Sequence, residues 1–320
     1  MSVAIRYSKL KHGTQSKGMT DTYRQRLWTA WHGTPKPHLA EIPVARAQLI
    51  GRAGEFEPRT ASWLADLDRR GSAVWRAVRD ERTGHTIHCV SDRSSEELTA
   101  DLRLGLRLMA WMSERPYVWY WWDHEWPRVL PANTDPAPEH LNGGWAVPGV
   151  REVHVYRREE AHKVMLHESV HALELDVPAG RIPAVRAQFE RELGRQLWPH
   201  LGECFTELYA EWLWAIARSS SITQARELWA AQMQCSEQQA AMVWARIMDA
   251  REPETTNVFA YYVLKWVLMQ HLEEALLQPN RTVGKWLSWW RAARPRLGRM
   301  AQQVMYTEGV PMRMGMTCGV

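Results

Sequence analysis

The stretch VMLHESVHALELD, residues 164–176, contains His167, Glu168 and His171 in the order His-Glu-x-x-His. Residues four apart lie on one face of a helix, so the two imidazoles can converge on a single ion. Glu168 lies one position further around the helix, where its carboxylate can reach a metal-bound water without ligating the metal. The apolar residues of the other side, which would pack against a core, are Leu166, Val170 and Leu173. The pattern predicts a zinc-binding helix that is anchored by its opposite face.

A third ligand is needed, because catalytic zinc usually takes three protein groups and leaves one position open. A third histidine six residues after the second is excluded, because that position holds Val177 and the midpoint holds Glu174. The other option is a glutamate from a later helix, and ECFTELYAE (203–211) carries three of them on one stripe. These are Glu203, Glu207 and Glu211. Buried together they would repel one another, and a nearby dication would explain them, although Glu211 can also be a solvated carboxylate at the helix end.

The pairing of the motif helix with a downstream glutamate helix resembles the gluzincin metallopeptidases. ECFTELYA (203–210) is similar to their Glu-x-Phe-x-Glu segment, whose first glutamate ligates zinc. The resemblance therefore implies that Glu203 is the third ligand and that Glu207 supports a ligand histidine as a hydrogen-bond acceptor. LNGG (141–144) and VHVYRREEAHKVMLHESVHAL (153–173) are also similar to predicted metallopeptidases of large DNA viruses.

The resemblance implies a zinc metallopeptidase that hydrolyses peptide bonds in a peptide or protein substrate. Zn²⁺ held by the two histidines and Glu203 would lower the pKa of its bound water to about 7 and polarise the scissile carbonyl. Glu168 would act as general base and pass the proton to the leaving amine. A second oxyanion donor is expected, and its candidates are Tyr261, Tyr262, His200 and Asn257. The alternative roles are core aromatics for the tyrosines and a helix-entry position for His200.

The predicted fold is α+β and zincin-like, with a small mixed sheet, the motif helix and a helical subdomain that supplies the third ligand. Residues 1–45 are expected to form a polar extension with little core of its own. The domain would span 46–280, with its sheet half at 80–160 and its helical half at 160–280. Residues 281–320 would form a basic, Trp-rich tail.

The hydrophobic pattern predicts individual elements within these regions. The predicted strands are 85–90, 117–122 and 151–157, and the last of these is expected to pair with an extended peptide by edge addition. The predicted helices after the motif are 182–198, 203–217, 223–233, 236–248, 255–277 and 283–298, and one helix, 94–114, precedes it with Ser94 or Ser95 as its cap.

Composition excludes several classes of protein. A net charge of +4 over 320 residues is too small for a dedicated nucleic-acid binder. The longest apolar runs are too short to predict a membrane span, and the first residues lack the apolar core of a secretory signal. The four isolated cysteines, without a CxxC pair, favour reduced thiols in an intracellular, cytoplasmic protein, and the viral resemblance adds virion association. They are Cys89, Cys204, Cys235 and Cys318.

Less specific interpretations remain open for each feature. The two motif histidines could be satisfied core residues, or the chain could be a non-catalytic structural or virion protein that retains a zinc-binding zincin fold. Glu168 argues against a purely structural site, because such a site needs no general base. The tryptophans of YVWYWW (117–122) and of the tail are expected to pack inward. The basic tail residues would then be solvated, or would alternatively bind an acidic partner, nucleic acid or a membrane face.

Overall fold

The computed structural model describes residues 19–55, 57–130, 137–176, 180, 182–249, 253–277, 283–304 and 312–313. In chain order the strands are β1 (Leu39–Glu41), β2 (Val74–Asp80), β3 (Thr86–Ser91), β4 (Val118–Asp123), β5 (Val129–Leu130), β6 (Gly144–Ala146), β7 (Glu152–Val155) and β8 (Met312–Arg313). The α-helices are α1 (Met19–His32), α2 (Arg46–Arg52), α3 (Pro58–Arg70), α4 (Ser95–Met112), α5 (Pro138–Leu141), α6 (Ala161–Ala172), α7 (Ile182–Leu193), α8 (Glu203–Ala217), α9 (Ile222–Asp249), α10 (Lys265–Met269), α11 (Leu272–Leu277) and α12 (Trp286–Val304). A π-helix spans Phe259–Leu264 and a 3₁₀ turn spans Val283–Lys285. The mixed α+β class is confirmed.

The described chain divides into two compact units. The first consists mainly of residues 21–127 and 142–175, and the second mainly of 128–141 and 176–313. The first unit holds a six-stranded mixed sheet in the order β1-β2-β3-β4-β7-β6, in which β3, β4 and β7 are parallel. The prediction that strand 151–157 is an edge is wrong, because β7 lies between β4 and β6. The edge strand is instead β6, a short strand that was not predicted because a Gly-Gly pair is more typical of a turn.

The aromatic strand β4 forms the centre of the first unit. Tyr120 and Trp122 point to one face, where they pack with leucines of α2 and α3. Trp119 and Trp121 point to the other face and stack on each other with ring centroids 5.0 Å apart. All four side chains are buried, so the expectation that YVWYWW is an aromatic core is confirmed.

Four aromatic rings form a ladder across one face of this sheet. His88 of β3, Tyr120 of β4, His154 of β7 and Trp145 of β6 are consecutive partners in the strand register. Neighbouring rings stack with centroids 5.5, 5.1 and 3.7 Å apart. Because cross-strand pairs fix register, the ladder fixes β6 relative to the strands that lead into the motif helix.

The N-terminal expectation is wrong for the residues that the structure describes. Tyr23, Leu27 and Trp31 of α1 are buried, and the rings of Trp31 and Trp111 lie 5.2 Å apart. Strand β1 also pairs with β2. The helix was not predicted because most residues between these apolar positions are polar. Residues 1–18 lie outside the described residues.

The second unit is built on α9, which packs against α12 and the π-helix. Trp286 and Trp290 of α12 are fully buried, so the expectation that tail tryptophans pack inward is confirmed for them. The tail's basic side chains pair with carboxylates of this unit: Lys285 with Glu274, Arg291 with Glu192 and Arg296 with Glu237. These three basic residues are therefore paired within the chain although their side chains remain largely exposed.

Several predicted boundaries were wrong for identifiable reasons. The helix predicted over 182–198 ends at Leu193, because Gly194 adopts the left-handed conformation with φ of 66°. The predicted pair 223–233 and 236–248 is one continuous helix, since no glycine or proline interrupts it. The helix predicted over 255–277 is split into the π-helix, α10 and α11.

The cysteine prediction was partly wrong. Cys89 and Cys204 are free and buried, but Cys235 is disulfide-bonded. Spacing along the sequence cannot exclude a bridge between distant cysteines, and Cys318 lies outside the described residues. Among the described helices, none combines the length and apolar character required to cross a bilayer.

Candidate metal centre

The motif helix α6 presents His167 and His171 on one face, as the spacing predicted. Their Nε2 atoms lie 3.2 Å apart and their ring planes are inclined by 70°. A tetrahedral site with metal–nitrogen bonds of about 2.1 Å has ligand atoms about 3.4 Å apart. The two imidazoles therefore already have the spacing of adjacent ligands, and His167 is only 6% exposed.

Glu203, the first residue of α8, completes a group of three. The ligand atoms of His167, His171 and Glu203 all lie within 4.8 Å of one another. Two imidazole nitrogens and a carboxylate oxygen are donors that Zn²⁺ accepts, and three protein ligands leave a coordination position for water or substrate. The donor types and their spacing thus fit a divalent-metal site.

Glu168 is 7% exposed and lies beside the edge strand. A Cβ atom at Gly144 of β6 would lie 2.4 Å from the His154 carbonyl oxygen of β7, 2.9 Å from Val164 Cγ1 and 3.0 Å from Glu168 Cγ. Gly144 therefore allows β6 to approach the motif helix more closely than any residue with a side chain could. The motif spacing did not predict a role for Gly144, because NGG (142–144) is a sequence typical of turns.

The opposite face of α6 is anchored by packing and by one buried polar contact. Leu166 and Val170 are fully buried, as predicted, whereas Leu173 is only partly buried at the helix end. Ser169 Oγ donates to the Met165 carbonyl at 2.7 Å and lies 3.1 Å from the Tyr117 hydroxyl. Burial raises the pKa of Tyr117 above its usual range, so this hydroxyl stays neutral. The anchor fixes the rotation of the helix that carries both histidines.

The three glutamates of the α8 stripe have different surroundings. Glu211 is fully buried and accepts from Lys265 Nζ of α10 at 2.6 Å. The expectation that Glu211 is solvated is wrong, and so is the idea that one dication explains all three carboxylates, because Lys265 supplies the charge for Glu211. Glu207 is buried one turn after Glu203, and its supporting role stays a prediction.

The candidate oxyanion donors differ in their distance from Glu203 and in their burial. The Tyr261 hydroxyl lies 3.5 Å from Glu203 Oε2, whereas Tyr262 is fully buried with Lys265 Nζ 5.8 Å from its ring centroid. Both tyrosines belong to the π-helix, a conformation that is frequent at functional sites. His200 is exposed in the turn before α8, where its carbonyl accepts from Glu203 N at 3.1 Å. Of these three residues, Tyr261 is the one with a described contact to the ligand carboxylate.

No known protein family, characterised protein or solved structure matches the chain. The resemblance to gluzincins therefore depends on the motif residues of the sequence alone.

Proposed function

We propose that the protein is a zinc-dependent metallopeptidase with a zincin-like fold, of the gluzincin type. The observation that carries this proposal is the group formed by His167, His171 and Glu203, whose ligand atoms lie within 4.8 Å of one another. The mixed sheet that leads directly into the motif helix supports the same assignment. The residue between the ligands, Glu168, supplies a proton acceptor that a structural metal site does not need.

In this proposal, Glu168 and Tyr261 have separate roles in peptide hydrolysis. A divalent cation bound here would lower the pKa of a coordinated water and polarise a substrate carbonyl. Glu168 accepts the proton of the attacking water and delivers it to the leaving amine. Tyr261, whose hydroxyl donates to Glu203 Oε2 at 3.5 Å, would turn this hydrogen bond toward the oxygen on which negative charge develops.

The edge strand β6 suits an extended peptide substrate. Tyr156 N donates to the Gly143 carbonyl at 3.0 Å, and Trp145 is the register partner of His154. Because hydrogen-bonding alternates along an antiparallel pair, the N–H and C=O groups of Gly144 and Ala146 point away from β7. A substrate strand that paired with them would run past Glu168 by β-strand addition.

The test compares Glu168→Gln with wild-type protein. Elemental analysis is expected to find one zinc per chain in both, and the variant is expected to lose at least ~100-fold in turnover of a peptide library. Glu227→Gln, at an exposed carboxylate of α9, is the matched control and should keep both zinc and turnover.

Two results would contradict the proposal. Zinc in wild-type protein without turnover in any variant would indicate a structural or virion protein that retains the metal. Absence of zinc from wild-type protein, even after incubation with Zn²⁺, would reduce His167 and His171 to core histidines.

A further inference from the structure

Glu254 lies in the segment between α9 and the π-helix, and both of its carboxylate oxygens accept backbone hydrogen bonds. Oε1 accepts from Phe259 N at 2.7 Å, and Oε2 accepts from Trp198 N at 2.8 Å. Its own N–H donates to the Gln196 carbonyl at 3.1 Å. Two of these hydrogen bonds join the segment before the π-helix to the segment before α8, and the third ties Glu254 to the first residue of the π-helix.

These two segments present the residues of the candidate centre. Trp198 precedes Glu203 by five residues, and Phe259 precedes Tyr261 by two. Tyr261 and Glu203 meet again at their side chains, 3.5 Å apart. The two segments are therefore in contact at two points, at Glu254 and at the pair formed by Tyr261 and Glu203, the proposed third ligand.

Phe259, which donates to Glu254, packs within a buried aromatic cluster. Phe259 is fully buried, and its ring lies 5.6 Å from that of Phe189 and 5.7 Å from that of Trp290. A shift of the Phe259 backbone would disturb this cluster, so the first turn of the π-helix has one well-packed position. Glu254 fixes that position relative to Trp198.

We propose that Glu254 is a positioning residue of the candidate metal centre, which holds Glu203 and Tyr261 in register. The inference rests on the proposed function. Glu254 would act through the two backbone segments that it joins, without touching the ligands themselves.

The chemistry of the position favours a carboxylate. A glutamine offers one oxygen, so its amide N–H₂ would face one of the two backbone donors. Burial raises the pKa of the Glu254 carboxyl to about 7, while the N–H donors of Phe259 and Trp198 and the charge of Arg195 favour its ionised form. An aspartate keeps both acceptors but is shorter by one methylene.

The experiment titrates wild-type protein, Glu254→Gln and Glu254→Asp with Co²⁺ alone and records its ligand-field absorption. We expect Glu254→Gln to bind Co²⁺ at least tenfold more weakly with an altered spectrum, and Glu254→Asp to recover part of the affinity. Hydrogen exchange at the Phe259 and Trp198 amides should accelerate in Glu254→Gln. Glu227→Gln is the control and should match wild-type protein in all three measurements.

The outcomes separate this inference from the function on which it rests. Wild-type affinity and spectrum in Glu254→Gln, with wild-type protein binding Co²⁺, would overturn the positioning role alone. Failure of wild-type protein to bind either Co²⁺ or Zn²⁺ would overturn both. If Glu254→Gln does not fold, Glu254→Asp decides, because a folded aspartate variant with unchanged Co²⁺ affinity would also overturn the inference.

Discussion

At the scale of single residues, three glutamates at equivalent helical positions have different chemistry because their neighbours differ. Glu203 lies with two imidazoles, whereas Glu211 is fully buried against Lys265. We expect Glu203→Ala to weaken zinc binding more than ~100-fold, since even a residue that only supports a ligand is worth 10- to 100-fold. Glu211→Gln should leave zinc affinity unchanged. It should lower the free energy of unfolding by about 3–5 kcal/mol, because it leaves a buried lysine without its counter-charge.

Competition with a chromophoric chelator measures the zinc affinity, and urea denaturation measures the free energy of unfolding. The double variant Glu211→Gln with Lys265→Met provides the control. It should be less destabilised than the sum of the two single variants, because the two residues form one interaction. Loss of zinc in Glu211→Gln would contradict the prediction and indicate that the whole stripe faces the ion.

Local spacing explains how much of the site the sequence could predict. The histidines lie four apart on one helix, so the sequence alone places them on one face, and the structure brings Glu203 to them. Lys265 and Glu254 could not be predicted, because their partners Glu211 and Trp198 lie 54 and 56 residues away. Contacts at such separations depend on how the helices pack, which periodicity does not encode.

At the scale of elements, the close approach of β6 to both β7 and α6 depends on Gly144. We expect Gly144→Ala to lower the free energy of unfolding by about 1–3 kcal/mol and to reduce the turnover of the proposed peptidase, because its Cβ would collide with the His154 carbonyl and press on Val164 and Glu168. Gly51→Ala in α2 is the matched control, since a Cβ there meets nothing within 4 Å. That variant should be neutral or stabilised by up to about 1 kcal/mol.

Thermal unfolding and peptide turnover, measured for both glycine variants, check this prediction. Equal behaviour of the two would show that the strand can move away from the motif helix at no cost. Loss of stability without loss of turnover would show that the approach of β6 matters for folding but not for the position of Glu168.

Elements with strong local signals were predicted well, and those that depend on tertiary contacts were not. The capping box of Ser94 and Glu97 forms as a helix start, and α8 has the predicted bounds 203–217. The π-helix was missed, because its shifted hydrogen bonds leave the apolar pattern of a helix unchanged. Strand β2 was missed as well, since its arginines interrupt the alternation on which strand prediction depends.

At the scale of the whole molecule, six histidines outside the candidate centre share a direction of titration. Burial lowers the pKa of each of the six, to about 4 for His85 and to about 3 for His124 and His154. The others whose pKa is lowered are His88, His162 and His271. The Nδ1 atoms of His85, His88 and His124 also accept backbone N–H groups, so these rings must keep a lone pair.

The sign of the resulting pH dependence follows from linkage. Because the pKa values of these histidines in the folded state lie below the unfolded value near 6.5, the unfolded chain binds more protons as the pH falls below 6.5, down to about 3 for His124 and His154. Their contribution to stability is therefore present above pH 6.5 and is lost as the pH falls, by about 1.4 kcal/mol per pH unit for each proton. Glu254 acts in the opposite direction, since its raised pKa removes stability as the pH increases from 4.5 to about 7.

The effect of six histidines on stability is larger than the opposite effect of one glutamate. We therefore expect the midpoint of thermal unfolding to fall steadily from pH 7 to pH 5. His85→Gln should flatten this profile, because glutamine can accept from Tyr117 N and donate to the Ser113 carbonyl, as His85 does, without titrating. His200→Gln, at an exposed position, should leave the profile unchanged. A midpoint that rises between pH 6.5 and pH 5 would show that the buried histidines do not control acid stability. Such a rise would mean instead that a group with a raised pKa in the folded state, as Glu254 has, outweighs the six histidines.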